Sequence, residues 1–233
     1  MLEQELPAVG ESGEHNMKQE KLRRLIMMIG GIGILGFAVS LFRLSSFGTD
    51  PFTTLNLGVS GFVGMSFGAY QLIVNAVLFV LVWIYARQCI GAGTIVNMVF
   101  VGFISDLFMQ FYSSTIDGTL SFYTRIGIMV IAVLIACIAV SLYMTADLGI
   151  APYDALAIMI QKVTNNKIPF PVARVITDVT SVLIGFSFGA VVGVSTVIMA
   201  FFTGPLVQFF NTVITKSLSQ AANKKLTDKE LVA

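Results

Sequence analysis

Six apolar runs, each about twenty residues long, restrict what this chain can fold into. They cover about residues 25–44, 68–86, 91–111, 126–145, 171–189 and 191–213. A helix that rises about 1.5 Å per residue needs about twenty residues to cross about 30 Å of hydrocarbon. Only 12% of the residues are charged, against about 25% in soluble proteins. The sequence therefore predicts an all-α membrane protein with six transmembrane helices.

The first and fourth runs end in similar interruptions. Ala-Val-Ser-Leu occurs at residues 38–41 and again at 139–142, and each copy leads into Gly and Pro beside Asp. Residues 52–63 and 152–163 then form segments too short to span, which predicts two half-helices enclosed by protein. In a membrane protein, a helix broken in this way is a candidate binding site.

The two halves of the chain match beyond these interruptions. Residues 67–75 match 170–178, and residues 91–94 match 193–196. Each copy holds three spans, an odd number, so the second copy enters the membrane from the opposite side. Inverted-topology repeats of this kind are typical of many transporters, although a duplicated helix bundle without transport is the alternative. The predicted organisation is two three-helix repeats, residues 25–112 and 125–213.

The polar ends set the expected orientation. We predict a disordered cytoplasmic tail over residues 1–24 and a second cytoplasmic tail over 214–233. With both termini inside, eleven of the fourteen Lys and Arg face the cytoplasm, Arg43 and Arg125 lie outside, and Arg174 lies within a span. Cytoplasmic loops of membrane proteins carry this excess of positive charge.

Charged residues inside the spans are candidates for function. Asp178 lies seven residues past Pro171, about 10 Å into the fifth span, where an ionised carboxylate is costly unless it is paired. Arg174 lies four residues earlier on the same helix face and can pair with it. We interpret the pair as a substrate or proton site; a static ion pair between helices is the alternative. Gln71 and Asn75 hold the equivalent positions in the first half without charge.

Two further acids flank the interruptions. Asp154, in the first turn of the second half-helix, either caps that helix or joins Arg174 in an inner gate. Asp50 precedes Pro51, and we expect Arg43 to be its partner in an outer gate.

Other contacts are expected near these sites. Asp106, late in the third span, is expected to pair with Arg125. Tyr70, Tyr153 and Phe170 lie beside the candidate cavity and could stack on a flat organic ring.

Several classes of function are disfavoured. The net charge of +1 argues against nucleic-acid binding. His15 is the only histidine, and Cys89 and Cys137 are the only cysteines, so the sequence predicts no metal site and no cofactor. Neither a phosphate-binding loop nor a Ser/His/Asp set is present, and we expect no enzyme. The glycine-rich first span permits close packing or a homodimer.

Taken together, these motifs resemble a known family. Residues 147–154, 174–178, 193–196 and 203–208 are similar to the YczE/YitT-like bacterial integral membrane proteins, and most similar to the YczE branch. The resemblance covers about residues 25–213. It implies a multi-pass protein of the bacterial cytoplasmic membrane, and it suggests small-molecule transport, vitamin B6 uptake included.

Three functional hypotheses follow. The first is a secondary transporter or facilitator of a small polar organic molecule, such as a B6 vitamer, bound at the repeat interface near mid-membrane. The second is a partner-dependent membrane subunit that binds a substrate, and the third is a non-transporting membrane scaffold. We rank transport first because broken helices at matching positions are not needed for a stable bundle.

Overall fold

The computed structural model describes the backbone of residues 9–115, 118 and 120–230, and the side chains of residues 17–115, 118, 120–203, 206–207 and 209–216. Over these residues the chain is almost wholly helical and contains no β-strand. A short 3-10 turn, Arg87–Cys89, precedes the fourth helix. The helices are α1 Val9–Ser45, α2 Pro51–Val63, α3 Phe67–Tyr85, α4 Ala92–Thr115, α5 Phe122–Thr145, α6 Pro152–Val163, α7 Phe170–Ser187 and α8 Val194–Glu230.

Two short helices confirm the predicted half-helices. α2 and α6 begin at Pro51 and Pro152, because proline at the first helical position has a preset φ and needs no hydrogen-bond acceptor. α2 ends before Gly64, which adopts the left-handed conformation with a φ of 70°. With 13 and 12 residues, both helices are too short to cross a bilayer.

Within the part of the chain that the structure describes, five helices are long and apolar enough to cross a membrane. The sixth predicted span, 191–213, falls on α8, where the apolar stretch within the described residues, Val194–Thr203, is shorter than a span. The side chains at positions 204, 205 and 208 lie outside the described residues, so a sixth span stays a prediction. The five are Met17–Ser45, Phe67–Tyr85, Ala92–Thr115, Phe122–Thr145 and Phe170–Ser187.

The polar ends are more helical than predicted. α1 already begins at Val9, so residues 9–24 are helical and not disordered as expected, while residues 1–8 lie outside the described residues. α8 continues to Glu230 through most of the second tail. Glu, Lys and Arg recur in residues 9–24, and Lys and Ala recur in residues 214–230. All four are strong helix formers, and each end extends a helix that is already nucleated.

α1 lies at the centre of the bundle, between α5 and α4. A Cβ at Gly31 would lie 2.8 Å from the backbone nitrogen of Tyr143 on α5. A Cβ at Gly36 would lie 2.8 Å from the side chain of Ile104 on α4. Small residues at these positions let the helix backbones approach closely, which is how helices associate where no hydrophobic effect drives them together.

Each half breaks its chain with the same backbone conformation. Ser46 and Asp147 take left-handed φ values of 55° and 52°, and Gly48 and Gly149 follow with φ values of 92° and 102°. A positive φ at these two glycines is costly for other residues. The matching motifs in the sequence therefore encode matching backbone turns.

The first break packs against the start of α8. The carbonyl oxygen of Phe47 accepts a hydrogen bond from the backbone N–H of Ser195 at 3.1 Å. A Cβ at Gly48 would lie 2.7 Å from the backbone nitrogen of Gly193. The first half is thus held by a backbone contact with the second half.

The second break makes the reciprocal contact with the start of α4. The carbonyl oxygen of Leu148 accepts a hydrogen bond from the N–H of Gly93 at 2.7 Å. A Cβ at Gly149 would lie 2.5 Å from the nitrogen of Gly91. Each break is therefore packed against the other half of the protein, which supplies a partner for one of its peptide groups, as a membrane environment requires.

Glycine also allows α2 to pack against α7. A Cβ at Gly58 would overlap the carbonyl oxygen of Gly185, and a Cβ at Gly185 would overlap the carbonyl oxygen of Thr54. This contact fixes the position of α2 beside the last turn of α7.

Substitution of Gly58 tests the α2–α7 contact. We expect Gly58→Ala to lower the free energy of unfolding by about 1–3 kcal/mol, because the added methyl group has no space. Gly61, on the same helix, has no neighbour within 4 Å of a built Cβ. Gly61→Ala is therefore the matched control, with an expected gain of about 0.5–1 kcal/mol from helix propensity. Equal melting temperatures of the two purified variants would contradict the described contact.

Candidate functional site

The first turns of α2 and α6 meet inside the protein. Phe52 follows Pro51, and Tyr153 follows Pro152. The two rings stack, with centroids 4.5 Å apart and an interplanar angle of 22°. The N-termini of both half-helices, which carry the positive end of the helix dipole, therefore converge on one region.

Arg174 of α7 lies between two carboxylates in this region. Its Nη1 donates to Oδ1 of Asp154 at 2.8 Å, and its Nε donates to Oδ2 of Asp178 at 3.2 Å. Its guanidinium carbon lies 5.1 Å from the centre of the Tyr153 ring, within the distance of a cation–π interaction. The expected contact between Arg174 and Asp178 is present, and Asp154 contacts Arg174 as well.

Tyrosine hydroxyls bind the remaining oxygens of both carboxylates. The Tyr153 hydroxyl donates to Oδ1 of Asp178 at 2.6 Å and lies 3.2 Å from the Ser181 hydroxyl. The Tyr143 hydroxyl donates to Oδ2 of Asp154 at 2.7 Å. Hydrogen bonds from hydroxyls to carboxylates are short, and these two contacts fix the orientation of each carboxylate. We call Tyr143, Tyr153, Asp154, Arg174, Asp178 and Ser181 the charged cluster.

Sequence reasoning missed two members of the charged cluster. Tyr143 lies close to the end of an apolar span, four residues before Asp147. Ser181 lies three residues after Asp178 and therefore on the same face of α7. These spacings were the available signals, since helix faces follow from position alone.

The charged side chains of this cluster are partly or fully buried. Asp178 is 4% exposed, and the side chains of Arg174 and Asp154 are 28% and 27% exposed. Two carboxylates share one guanidinium, so the cluster carries a net negative charge when both acids are ionised. Burying charge costs free energy that an ion pair often fails to recover.

Asp50 does not pair with Arg43, contrary to our expectation. Its Oδ1 accepts a hydrogen bond from the backbone N–H of Thr53 at 3.0 Å, so it is the N-cap of α2. An acid directly before Pro at the first helical position suits this role because N-terminal N–H groups need acceptors. The cap places the Asp50 carboxylate at the N-terminus of α2, near the charged cluster.

The expected pairing of Asp106 with Arg125 is also wrong. Arg43 Nη1 donates to Asp106 Oδ1 at 2.7 Å, and the backbone N–H of Gly68 donates to Oδ2 at 2.7 Å. Arg125 instead donates to the carbonyl oxygen of Ser45 at 2.8 Å. The packing of the helices decides the partners of Asp106 and Arg125, and the distance between residues along the sequence does not reveal that packing.

The neutral residues predicted for the site lie on α3. Gln71 and Asn75 are buried, with exposures of 4% and 1%, and a Cβ at Gly102 would lie 3.0 Å from Oε1 of Gln71. Tyr70 is half-buried in the first turn of α3. In the part of the chain that the structure describes, no hydrogen bond joins Gln71, Asn75 or Tyr70 to Arg174.

An apolar cavity between α7 and α8 reaches the charged cluster. Its volume is about 150 Å³, and Asp178 is its one charged lining residue. In the first half, the equivalent helices α3 and α4 are closed by Gly68 against Gly102. The cavity therefore leads from between α7 and α8 to Asp178. The residues that line it are Val175, Asp178, Val179, Val182, Leu183, Val192, Thr196, Val197, Ala200 and Phe201.

No group of three His, Cys, Asp or Glu side chains among the described residues could hold a metal ion. The chemistry of the charged cluster is that of hydrogen bonds and ion pairs. A guanidinium can bind an anionic group, and a carboxylate can bind a cation or a proton.

Long apolar helices that enclose two short, proline-initiated helices define a multi-pass integral membrane protein. Residues 22–212 match a family of unknown function, DUF6198, and the chain belongs to that family.

Curated relatives agree with this assignment. The chain is 27% identical over 194 residues to an uncharacterized protein of Haemophilus influenzae, with 83% of this chain and 86% of the relative covered. It is 24% identical to the uncharacterized membrane protein YczE of Bacillus subtilis, with 83% and 87% covered. It is 22% identical to the uncharacterized protein YyaS of the same organism, with 79% and 90% covered. The predicted YczE-like family is confirmed. No solved structure matches the chain.

The charge balance of the charged cluster can be tested by replacing Arg174 and Asp178 with Gln and Asn, the residue types at the matching positions of the first half. We expect Arg174→Gln to lower the free energy of unfolding by about 3 kcal/mol, because two buried carboxylates lose their cation. This value is at the low end for a buried pair since the Arg174 side chain is 28% exposed. Asp178→Asn should cost less, because Arg174 and Asp154 still balance each other.

The double variant Arg174→Gln/Asp178→Asn reproduces the neutral pair Gln71 and Asn75. It should regain part of the stability lost in Arg174→Gln, as judged from melting temperatures in one detergent. A single variant Arg174→Gln as stable as the wild type would show that the ion pairs contribute nothing.

Proposed function

We propose that this protein is a secondary transporter or facilitator of a small polar organic molecule, and that the charged cluster binds the substrate. The observation that carries the proposal is the position of this cluster, where the first turns of two broken helices meet. Charge at such a point is costly, and it contributes little to the stability of a helix bundle. Discontinuous helices whose N-termini face a central site are typical of transporters.

The chemistry of the cluster supports a substrate with both polar and charged groups. The Arg174 guanidinium and the N-terminus of α6 would attract an anionic group. Asp154 and Asp178 would take a cationic group or a proton, because only one guanidinium balances them. The cavity between α7 and α8 supplies an approach to Asp178.

The reciprocal contacts of the breaks support two inverted repeats. The start of α8 holds the first break, and the start of α4 holds the second. An exchange of equivalent contacts is expected when two halves are related by a two-fold axis. We propose that this axis lies in the membrane plane, with three spans on each side of it and both termini in the cytoplasm.

Thiol labelling in intact cells tests this orientation. Ser114→Cys, at the end of α4, should react with a membrane-impermeant maleimide in intact cells. Lys167→Cys, between α6 and α7, should react only after permeabilisation. Each variant needs the background Cys89→Ser/Cys137→Ala, so that the native thiols do not react. Burial raises the pKa of the Cys89 thiol, and the charge of Lys162 opposes this shift. The reverse pattern of labelling would invert the proposed topology.

Asp178→Asn tests the proposed site. We expect purified wild-type protein to gain about 2.7 kcal/mol of stability with a ligand at about 100 times its dissociation constant. A screen of vitamin-sized metabolites, B6 vitamers included, should reveal this as a rise in melting temperature, and the same ligand should accumulate in proteoliposomes. Asp178→Asn should lose both effects while it stays folded, because the substitution removes a buried charge that binds substrate or proton.

The matched control is Asp147→Asn, since the Asp147 side chain is 90% exposed and Asn tolerates its positive φ. Wild-type accumulation by Asp178→Asn would refute the assignment of this residue. Ligand binding without transport would favour a partner-dependent binding subunit. A chain that neither binds nor transports any member of the screen would favour a scaffold.

A further inference from the structure

Four buried amide side chains in the first half have polar atoms that remain without a hydrogen-bond partner in the described part of the chain. They belong to Asn56 on α2, Gln71 and Asn75 on α3, and Asn97 on α4, and each is at most 5% exposed. Both polar atoms of Asn75 lack a partner, as do Oδ1 of Asn56, Oε1 of Gln71 and Nδ2 of Asn97. We call these four residues the amide cluster.

Helix register places Asn75 and Asn97 at a similar height. α3 and α4 run antiparallel, and a Cβ at Gly102 would lie 2.7 Å from the Cα of Gly68 and 3.0 Å from Oε1 of Gln71. Asn75 lies one turn beyond Gln71 on the same face of α3. Asn97 lies four residues before Val101, on the face of α4 whose Val101 packs among buried core residues.

Asn56 lies on α2, one turn after Phe52. It is fully buried, and its Nδ2 donates to the carbonyl oxygen of Phe52 at 2.7 Å. The Asn56 side chain is thereby held one turn from the ring stack of Phe52 on Tyr153.

Packing alone does not account for these amides. More than about 90% of buried polar groups are paired in folded proteins, and an unpaired one is costly in a low-dielectric interior. In the second half, Arg174 and Asp178 hold the positions of Gln71 and Asn75, and both have protein partners. The first half therefore retains polar groups that its own structure does not satisfy.

We propose that the amide cluster is a second binding site, for the uncharged, hydroxyl- or amide-bearing part of the substrate. The proposal rests on the proposed transport function, because it divides one substrate between the charged cluster and the amide cluster. An amide offers both a donor and an acceptor, as a hydroxyl or amide ligand requires. The ion pair between Arg43 and Asp106 in the first half is already formed within the protein, so this pair offers no free charge to the ligand. The transported class is then a molecule with a charged end and an uncharged hydrogen-bonding end.

Reactivity of a cysteine at position 75 tests the amide cluster without knowledge of the substrate. The variant Asn75→Cys is made in the full chain with Cys89→Ser, and Cys137 is kept as the control. Cys137 is 0% exposed, as deeply buried as Asn75 at 1%, but it lies in an apolar core cluster. The probes are 2-hydroxyethyl methanethiosulfonate, which is uncharged, and its trimethylammonium-ethyl analogue, which is charged.

We expect the uncharged probe to modify position 75 at least about tenfold faster than Cys137, and about tenfold faster than the charged probe does, because a charge is costly to bury. A cysteine at position 75 that is as inert as Cys137 would overturn the proposal. Equal reaction with both probes would indicate an open aqueous vestibule and would overturn it as well.

A second variant keeps the proposal testable if Asn75→Cys fails to fold. Asn75→Leu removes two unpaired polar atoms at similar volume, so its melting temperature without ligand should equal or exceed that of the wild type. A clear fall in melting temperature would mean that the amide has a protein partner, and the site would be lost. Neither measurement involves transport or Asp178, so failure here leaves the proposed function to its own test.

Discussion

Peptide groups cannot remain unpaired in hydrocarbon, and the structure depends on how the two chain breaks satisfy this constraint. Each break is closed by the other half of the molecule, through Phe47 with Ser195 and through Leu148 with Gly93. Neither half can therefore complete its broken helix alone. The backbones approach so closely that a side chain at Gly48 would have no room. The glycines of the repeated motif are therefore needed for the two halves to pack together, whatever role they have in function.

This mutual closure brings together two surfaces of different chemistry. On one side, Arg174 joins Asp154 and Asp178 in a buried ionic network. On the other, Gln71 and Asn75 hold equivalent positions with neutral amides. Two matching stretches of sequence thus hold different side chains, one set charged and the other neutral. Such asymmetry suits a ligand whose own ends differ.

Local rules predicted much of this arrangement from the sequence. The Gly and Pro interruptions predicted both half-helices with their first residues correct to within one position, and four-residue spacing predicted the contact of Arg174 with Asp178. Contacts between distant helices were predicted poorly, since Arg43 binds Asp106 and not Asp50. Sequence distance carries no information on which helices pack together, and that packing selects among several possible ion pairs. Tyr143 was missed for the same reason, because its partner Asp154 lies on another helix.

The uneven charge of the two halves also has an electrical consequence. Asp154, Arg174 and Asp178 all lie on α6 and α7 and together carry one excess negative charge when ionised. A membrane potential acts on such a charge with about 2.3 kcal/mol per 100 mV for a complete crossing. Any displacement of these three side chains along the membrane normal therefore exchanges work with the field, whereas the same displacement of the neutral Gln71 and Asn75 exchanges none. A membrane potential thus acts on only one of these two matching sets of side chains.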